Sequence, residues 1–283
     1  MHLQRLVPLA IAGLLLGACS GSSNSPRATP QPPATNSNGS YVSGIMTARF
    51  DPTNAVIPFP NNLLIQGSRD LTVNAPTANP TNFGDPTVAL NALDGFSTTA
   101  PWTMTFSAAL APSSIVPGQS VRLFEVQVVT SGAAAGAVQR VVRELSSPSE
   151  YVAAISTADS TGRTLAIVPT KPLEELKSYM AVVTDGITDT AGNNATPDQT
   201  YFLAKRTAPL SSGTGSACVS LDPLLPASSA CALEPLRQLT NSFEAAANAA
   251  GVDRNKIVVS WVANTQGVTP TLRALRASTR PAT

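Results

Sequence analysis

The sequence predicts a mainly β fold, a β-sandwich that carries one α-helix towards its C-terminal end. From about residue 47 to residue 205, short runs rich in β-branched and aromatic residues alternate with Pro, Gly, Asn and Asp, the residues that favour turns. Short strands at this regular spacing are typical of a β-sandwich. The predicted strands are Trp102–Phe106, Ser120–Val129, Val138–Glu144, Leu165–Val168 and Tyr179–Thr184.

The helix is predicted over about residues 233–250, and a strand over Ile257–Val262 follows it. Pro235 suits the first turn of this helix, and Gly251 suits the position just after its end. Apolar residues of the segment recur at steps of three and four, so they form one face. That face consists of Leu236, Leu239, Phe243, Ala246 and Ala250.

The composition excludes several classes of function. Charged residues make up 12% of the 283 residues and the formal net charge is +1, whereas a nucleic-acid surface needs a basic patch or stripe. His2 is the one histidine of the sequence, and it lies in a segment that we expect to be cleaved. A chain without histidine holds no Ser-His-Asp triad, no His-ligated metal and no histidine general base. We therefore expect no nucleic-acid partner, no catalytic residue, no cofactor and no metal site on this chain.

Residues 1–18 have the features of a bacterial export signal. Arg5 and the free amine supply positive charge, and the apolar stretch Leu6–Leu16 has 11 residues, too few to span a bilayer. The following Leu16-Gly17-Ala18-Cys19 resembles the lipobox of bacterial lipoproteins. That resemblance implies cleavage before Cys19, a diacylglycerol on its sulfur and a fatty acid such as palmitate on its amine. An ordinary signal peptide with an incidental cysteine is the alternative.

Residues 19–46 are expected to form a lipidated, disordered tether. The segment is rich in Ser, Asn, Pro and Gly, a composition that cannot bury a core. Ser20 stands where the lipoprotein sorting rule places Asp in proteins retained at the inner membrane. We therefore expect a lipoprotein of the cell envelope, anchored in the outer membrane, with its folded part on the periplasmic or the surface-exposed face.

Cys218 and Cys231 are predicted to form a disulfide. Both belong to the exported part of the chain, where oxidising conditions favour the bond. A metal site at this pair is the alternative, but it lacks further Cys or His ligands.

Two blocks of sequence are long enough to be specific. The first runs from Phe50-Asp51-Pro52 to Val56-Ile57-Pro58-Phe59-Pro60-Asn61-Asn62-Leu63-Leu64, and the second is Ala89-Leu90-Asn91-Ala92-Leu93-Asp94-Gly95-Phe96-Ser97-Thr98-Thr99-Ala100-Pro101. Together they resemble the N-terminal domain of the bacterial virulence-factor lipase family. The resemblance covers about residues 47–268 and implies a lipidated, β-rich N-terminal domain followed by an α/β-hydrolase domain. It makes residues 269–283 a tail, the start of a missing downstream domain.

A second pattern lies inside the same region. Phe106-Ser107, Ser113-Ser114-Ile115 and Ser120-Val121-Arg122-Leu123-Phe124 are followed by Tyr179, Gly186-Ile187 and Gly192-Asn193. This pattern resembles the Ig-like repeats of bacterial surface proteins. It implies an Ig-like sandwich, which says more about the fold than about the function.

The nucleophile of a lipase is not found on this sequence. The family resemblance implies a G-x-S-x-G elbow, but Gly95-Phe96-Ser97-Thr98-Thr99 and Gly118-Gln119-Ser120-Val121-Arg122 both lack the second glycine. Lipase or carboxylic ester hydrolase activity is therefore expected only in the missing downstream domain. A Ser–Lys dyad stays formally open, although it needs a buried lysine. The four lysines fall at loops or loop edges of the predicted fold: Lys171, Lys177, Lys205 and Lys256.

Three functional hypotheses follow. The first is a membrane-anchored lipoprotein whose folded part is a non-catalytic, Ig-like accessory domain, partnered by a lipase catalytic domain. The second is the N-terminal fragment of an active surface lipase or esterase. The third is a stand-alone surface-binding or adhesion module, of unknown ligand, that acts through a sheet edge or loop.

Two further groups of residues have competing interpretations. The carboxylates of Asp51, Asp94, Asp185 and Asp189 could bind calcium, but each stands in a turn-forming sequence, so we expect them to bond nearby backbone. Trp102, Trp261 and Phe59 could form a ligand platform, but the apolar residues around them favour core packing.

Overall fold

The computed structural model describes residues 46–65, 77–82, 84–91, 93–269, 272, 275 and 276. The predicted signal peptide, Cys19 and all of the predicted tether except Met46 lie outside these residues. Strands and helices follow one another in this order: β1 (Met46–Ala48), α1 (Pro86–Leu90), β2 (Trp102–Thr105), β3 (Val121–Val128), β4 (Val138–Glu144), β5 (Tyr151–Ile155), β6 (Thr164–Pro169), β7 (Ser178–Thr184), β8 (Ala195–Pro197), α2 (Gln199–Ala204), β9 (Ser211–Ser212), β10 (Val219–Ser220), α3 (Ala227–Ala249) and β11 (Ile257–Asn264).

Two antiparallel sheets form a β-sandwich. The larger sheet has the strand order β11-β7-β3-β4, and the smaller one has the order β2-β6-β5. The prediction of a mainly β fold is confirmed, and each strand predicted between residues 102 and 184 is present with its ends shifted by at most two residues. Alternation of side chains along β3, β7 and β11 gives the larger sheet two buried faces.

The face of the larger sheet that meets the smaller sheet forms the sandwich core. Across the larger sheet, Leu123 of β3 lies opposite Ala181 of β7, which lies opposite Trp261 of β11. Trp261 contacts Trp102 of the smaller sheet, with 6.1 Å between the ring centroids. Core packing is therefore confirmed for these two tryptophans. It is wrong for Phe59, whose side chain is 49% exposed.

Helix α3 covers the other face of the larger sheet. Phe124, Met180 and Val262 are aligned across three strands on that face, and they pack in one cluster with Phe243 and Ala247 of the helix. The architecture is therefore three layers, with the larger sheet in the middle. This position explains why β7 and β11 are almost continuously apolar, since both of their faces are buried.

Helix α3 begins at Ala227, about two turns earlier than predicted, and Pro235 lies inside it. The predicted start places Pro235 in the first turn, the position where proline costs least. The segment before it contains Ala227, Ala230 and Ala232, which are strong helix formers. The helix therefore continues through Pro235, although proline has no backbone N–H and one helical hydrogen bond is lost there.

Two small sheets complete the fold. In one, β1 pairs in parallel with β8, so that Met46 lies opposite Ala195. In the other, β9 pairs with β10 next to the predicted disulfide, which is present between Cys218 and Cys231 with 6.2 Å between the two Cα atoms. This bond ties the β9–β10 hairpin to the first turns of α3. Among the described residues, no helix combines the length and the apolar character needed to cross a bilayer.

Candidate functional site

A group of exposed apolar side chains surrounds the point where the chain leaves β11. We call it the terminal apolar surface and define it by these residues: Phe59, Leu176, Val268, Leu272 and Leu275. Their side chains are between 38% and 59% exposed. Contiguous exposed apolar patches are uncommon on single domains, and they mark sites of interaction with proteins or membranes.

Phe96 joins one side of this surface to the end of β11. The ring of Phe59 packs edge-on against the ring of Phe96, with 5.6 Å between the centroids. Phe96 donates its backbone N–H to the carbonyl of Asn264 at 2.7 Å and accepts from the N–H of Gln266 at 2.8 Å. The two phenylalanines are therefore fixed to the segment that follows β11.

Leu176 lies on the other side of the same segment. Its backbone N–H donates to the carbonyl of Thr265 at 3.2 Å, and a Cβ built on Gly267 would be 3.0 Å from its Cδ2. Leu176 has a φ of 57°, the left-handed region that a residue with a branched side chain enters only at an energetic cost. The close contact with Gly267 holds the Leu176 side chain at the surface, next to the segment that follows β11.

Hydrogen bonds hold the residues beyond β11 against the folded core. Asp94 Oδ1 accepts from the backbone N–H of Gly267 at 2.9 Å. Glu175 Oε2 accepts from the backbone N–H of Thr269 at 2.7 Å, and Leu272 donates to the carbonyl of Val268 at 3.2 Å, a helical bond. These bonds hold Gly267 and Thr269, between Leu176 and the apolar residues that follow β11.

The four predicted turn aspartates have different roles. Asp51 accepts from the backbone of Thr53 and Asn54 at 3.1 and 3.3 Å. Asp189 accepts in the same way from Ala191 and Asn193 at 2.9 and 2.8 Å. The turn interpretation is confirmed for both.

Asp94 and Asp185 stand in a bend and in a turn, but their side chains do not bond nearby backbone as predicted. Asp94 bonds Gly267, which is 173 residues away in the sequence, and Asp185 is buried with no hydrogen-bond partner for its Oδ2. Within the part of the chain that the structure describes, no group of three or more His, Cys, Asp or Glu side chains is arranged to hold a metal ion.

A buried polar cluster lies between α2, α3 and β11. Glu244 is completely buried, and its carboxylate accepts from Arg254 Nε at 2.8 Å and from the Tyr201 hydroxyl at 3.1 Å. Lys205 Nζ lies 3.6 Å from the same carboxylate. The Tyr201 hydroxyl and Ser260 Oγ are 2.8 Å apart and share a hydrogen bond.

This cluster contains the lysine that best fits the hypothesis of a Ser–Lys dyad. Lys205 is the buried lysine that such a dyad needs, and burial lowers its pKa, while burial raises the pKa of Glu244. However, Lys205 Nζ donates to the carbonyls of Ile257 and Arg254 at 2.6 and 3.2 Å rather than to a serine. No lysine–serine hydrogen bond joins side chains of the described residues, and Lys205 serves to neutralise Glu244.

Two cavities open elsewhere on the domain. An apolar cavity of about 380 Å³ lies between α3 and the β3–β4 hairpin. Its polar side chains are already paired, since Asn62 bonds Asn264 at 3.0 Å and Gln238 bonds Glu234 at 3.1 Å. A second and more polar cavity of about 510 Å³ lies at the end of the larger sheet where β7 terminates.

A family model described as bacterial virulence factor lipase N-terminal matches residues 52–283. The chain belongs to this family. In the bacterial virulence factor lipase N-terminal family, the matched region is the N-terminal part of a lipase, and membership suggests association with a lipase catalytic domain. The match includes every residue of the terminal apolar surface.

Other comparisons add little to this family assignment. No curated protein matches the chain. Among solved structures, it is similar to the surface layer protein SbsC, domains 1–6, with 14% identity and a TM-score of 0.24 over 35% of this chain and 11% of that one. The N-terminal part of the bacterial S-layer protein SbsC aligns with 15% identity and a TM-score of 0.21, over 34% of this chain and 18% of that one. The chain therefore spans a small share of these proteins.

The terminal apolar surface is not predicted from the sequence. Its members come from three distant parts of the chain, which the hydrogen bonds of residues 264–269 connect. One local signal was present, because Val268, Leu272 and Leu275 stand at steps of four and three, the spacing of an apolar helix face.

Proposed function

We propose that this chain is the non-catalytic, Ig-like accessory domain of a lipid-anchored lipase of the virulence-factor type, and that it docks a lipase catalytic domain on the terminal apolar surface. The observation that carries the proposal is the position of this surface, where the chain leaves the last strand of the sandwich. The family membership supports it, because the matched region is the N-terminal part of lipases. Residues from about 269 onward would lead towards the catalytic domain.

The docking is tested by binding. The probe is the separately expressed α/β-hydrolase domain of a lipase from this family that contains G-x-S-x-G, titrated calorimetrically against the full chain. Leu176→Ser and Phe59→Ser should each weaken binding at least tenfold, since each removes an apolar side chain from the contact. Phe202→Ser is the matched control, because Phe202 is 58% exposed but lies outside the terminal apolar surface.

A non-catalytic role is tested separately with the purified full chain on short- and medium-chain p-nitrophenyl esters. We expect no turnover above buffer, while a family lipase that contains the elbow hydrolyses them. Turnover that co-purifies with the chain and is lost in Lys205→Met or Ser260→Ala would instead indicate an enzyme, and it would contradict the proposal.

We further propose that lipid on Cys19 anchors the protein in the outer membrane. The lipobox residues Leu16 to Cys19 support this, as does the absence of Asp after the cysteine. Several acyl chains on one residue bind a bilayer far more stably than a single one. Cells fed an alkyne-tagged palmitate should label the wild-type chain but not Cys19→Ser, and the label should sediment with outer membranes. An equally labelled variant would contradict the anchor.

A further inference from the structure

The apolar cavity between α3 and the β3–β4 hairpin is open and has mostly apolar walls. We call it the hairpin cavity. Its walls come from residues 128–129 and 133–137 of the hairpin, from residues 235–239 of α3, and from Asn62, Ile65 and Asn264. Its volume of about 380 Å³ lies within the range of small-molecule sites.

The hairpin side of the cavity has no side chain long enough to fill it. Residues 133–137 are four alanines and one glycine, so no side chain there extends beyond a methyl group. Backbone bonds fix this loop, since Val129 donates to the carbonyl of Ala137 and Gly136 donates to the carbonyl of Val129, both at 2.8 Å. At the base of the hairpin, the N–H of Val138 donates to Ser242 Oγ of α3 at 3.0 Å. The cavity is therefore formed in advance of any ligand, which lowers the cost of binding.

Water in the hairpin cavity has few groups to bond. The Asn62 amide donates to Asn264 Oδ1 at 3.0 Å and its oxygen accepts from the Asn264 backbone N–H at 2.9 Å. The Gln238 amide donates to Glu234 at 3.1 Å. Because these polar groups already bond one another, water in the cavity is held weakly. Displacement of weakly held water by an apolar group favours binding.

The lining narrows the class of ligand. Among the described residues that line the cavity, none is charged and none is aromatic. The walls thus offer no counter-ion to a charged group and no ring for a sugar or a base to stack on. An aliphatic chain needs neither, and its burial against Ile65, Val128 and Leu239 is favourable in proportion to the apolar area removed from water.

One wall of the cavity continues into the terminal apolar surface. The side chain of Asn264 bonds Asn62 at the cavity, while its backbone carbonyl accepts from Phe96 at 2.7 Å. Phe96 in turn packs against Phe59 of the terminal apolar surface, three residues before Asn62. A lipase domain docked on that surface would act on acyl esters next to this cavity, so an acyl chain is the aliphatic ligand at hand. The choice of an acyl chain rests on the proposed function in this respect.

We propose that the hairpin cavity binds the single acyl chain of a lipid, with the chain inside the cavity and the polar head in water at its mouth. If a methylene occupies about the same 30 Å³ as a water molecule, the cavity accommodates about a dozen of them. The chain belongs either to a free fatty acid or to a monoacyl phospholipid, which share this chemistry.

The test is titration calorimetry of the full chain carrying Cys19→Ser, which removes the proposed anchor. The probes are hexanoate, octanoate, decanoate, dodecanoate and tetradecanoate, each below its critical micelle concentration. Up to dodecanoate, each added methylene should tighten binding about fourfold, the factor expected for its burial. From dodecanoate to tetradecanoate the gain should be less than about twofold per methylene, because the cavity is then full. Failure of both decanoate and dodecanoate to bind, or an affinity independent of chain length, would overturn the proposal.

Variants that fill the cavity locate the site. Ala134→Trp and Ala135→Trp each place a large ring on the hairpin wall, and each should weaken the binding of dodecanoate at least tenfold. Both positions lie in a surface loop, so two independent variants are available if one does not fold. Ala191→Trp is the matched control, since Ala191 is also an exposed loop alanine but lies outside the cavity, and it should leave binding unchanged. Unchanged binding in both filled variants would overturn the assignment to this cavity.

A third variant separates this proposal from the docking of a lipase domain. Leu176→Ser should weaken docking but leave dodecanoate binding unchanged, whereas Ala135→Trp should do the reverse. Loss of dodecanoate binding in Leu176→Ser alone would place the acyl chain on the terminal apolar surface and overturn the proposal. If dodecanoate does not bind and Ala135→Trp weakens docking, the cavity holds a side chain of the partner protein instead, which also overturns it.

The two sources of the acyl chain are distinguished by the head group. Dodecanoate is compared with lauroyl lysophosphatidylcholine, which carries the same chain on a zwitterionic head. Preference for one of them by more than tenfold, lost in Ala135→Trp, identifies that lipid as the source. Equal binding of both, lost in Ala135→Trp, shows that the cavity recognises the chain alone. Binding of the lysophospholipid that Ala135→Trp leaves unchanged would overturn its assignment to the cavity.

Discussion

Thr269 donates two hydrogen bonds to the carboxylate of Glu175, one from its backbone N–H at 2.7 Å and one from its hydroxyl. Glu175 precedes β7 and Thr269 follows β11, so this pair closes the end of the sandwich next to Leu176. The contact holds the departing chain in place. Holding Thr269 next to Leu176 would reduce the entropic cost of the docking that we propose.

Replacing Glu175 should loosen this end of the domain. In Glu175→Ala, the amide hydrogens of Gly267 and Thr269 should exchange about tenfold faster, since a hydrogen bond to a charged group contributes about 1.5–3 kcal/mol. Hydrogen exchange followed by mass spectrometry measures this. Glu174→Ala is the control, because the Glu174 side chain is 64% exposed. Unchanged exchange in Glu175→Ala would show that the pair does not order the segment.

The disulfide should stabilise the domain as a whole. It closes a loop with a sequence separation of 13 residues, for which the chain-entropy model gives about 3 kcal/mol. Cys218→Ala combined with Cys231→Ala should therefore lower the melting temperature by roughly 6–12 °C. Reductant should lower the melting temperature of the wild type to that of the variant and leave the variant unchanged. If the wild type and the variant had equal melting temperatures without reductant, a stabilising role of the disulfide would be contradicted.

Removal of the Glu244 carboxylate should be among the most damaging single changes. Glu244→Ala leaves Lys205 and Arg254 without their shared buried counter-ion and removes one hydrogen-bond acceptor of the Tyr201 hydroxyl. Breaking a buried ion pair on one side costs about 3–5 kcal/mol. Urea unfolding at neutral pH measures the loss. Glu174→Ala should cost less than about 1 kcal/mol in the same assay, as expected for an exposed pair, and a comparable loss in both variants would contradict the account.

Glu234 should make stability depend on pH. Its carboxylate accepts from Arg237, which lowers its pKa to about 2, and also from the backbone N–H of Leu210 at 2.9 Å. Because the folded-state pKa lies below the unfolded one, the stabilisation is fully present above about pH 4.5 and is lost as the pH falls towards 2.

Glu234→Gln should accordingly be destabilised at pH 7, by about 1–3 kcal/mol for the hydrogen bonds of a charged group. The difference from the wild type should shrink steadily between pH 4.5 and pH 3. Urea unfolding at several pH values measures it. A difference that stays constant over this range would show that the charge of Glu234 is not what stabilises the fold.

The sandwich could be predicted because its strands carry their own signals. β3 and β7 contain the β-branched and aromatic residues of buried strands, and turn residues bound them. The start of α3 was predicted too late, because Pro235 is equally compatible with a first turn and with a tolerated interior position. Local sequence does not distinguish these two cases when the residues before the proline also favour a helix.

The candidate sites were much harder to predict, because they depend on long-range contacts. Leu176 gives no sign in the sequence that it adopts a left-handed conformation against Gly267, 91 positions away. Asp185 stands before Gly186 and has the sequence of an ordinary turn, yet the α3–β11 connection buries it. The burial of Lys205 likewise depends on Glu244, which belongs to a helix that begins more than 20 residues later.

The docking of a catalytic domain on the terminal apolar surface is tested most directly by a hydrogen-exchange footprint. The full chain is compared with and without an excess of the α/β-hydrolase domain of a family lipase. Exchange should slow at the amides of Leu176, Gly267 and Thr269, and it should be unchanged in β4, where Val142 is also exposed. Slower exchange in β4 alone, or no change anywhere at a saturating concentration, would contradict the proposed docking.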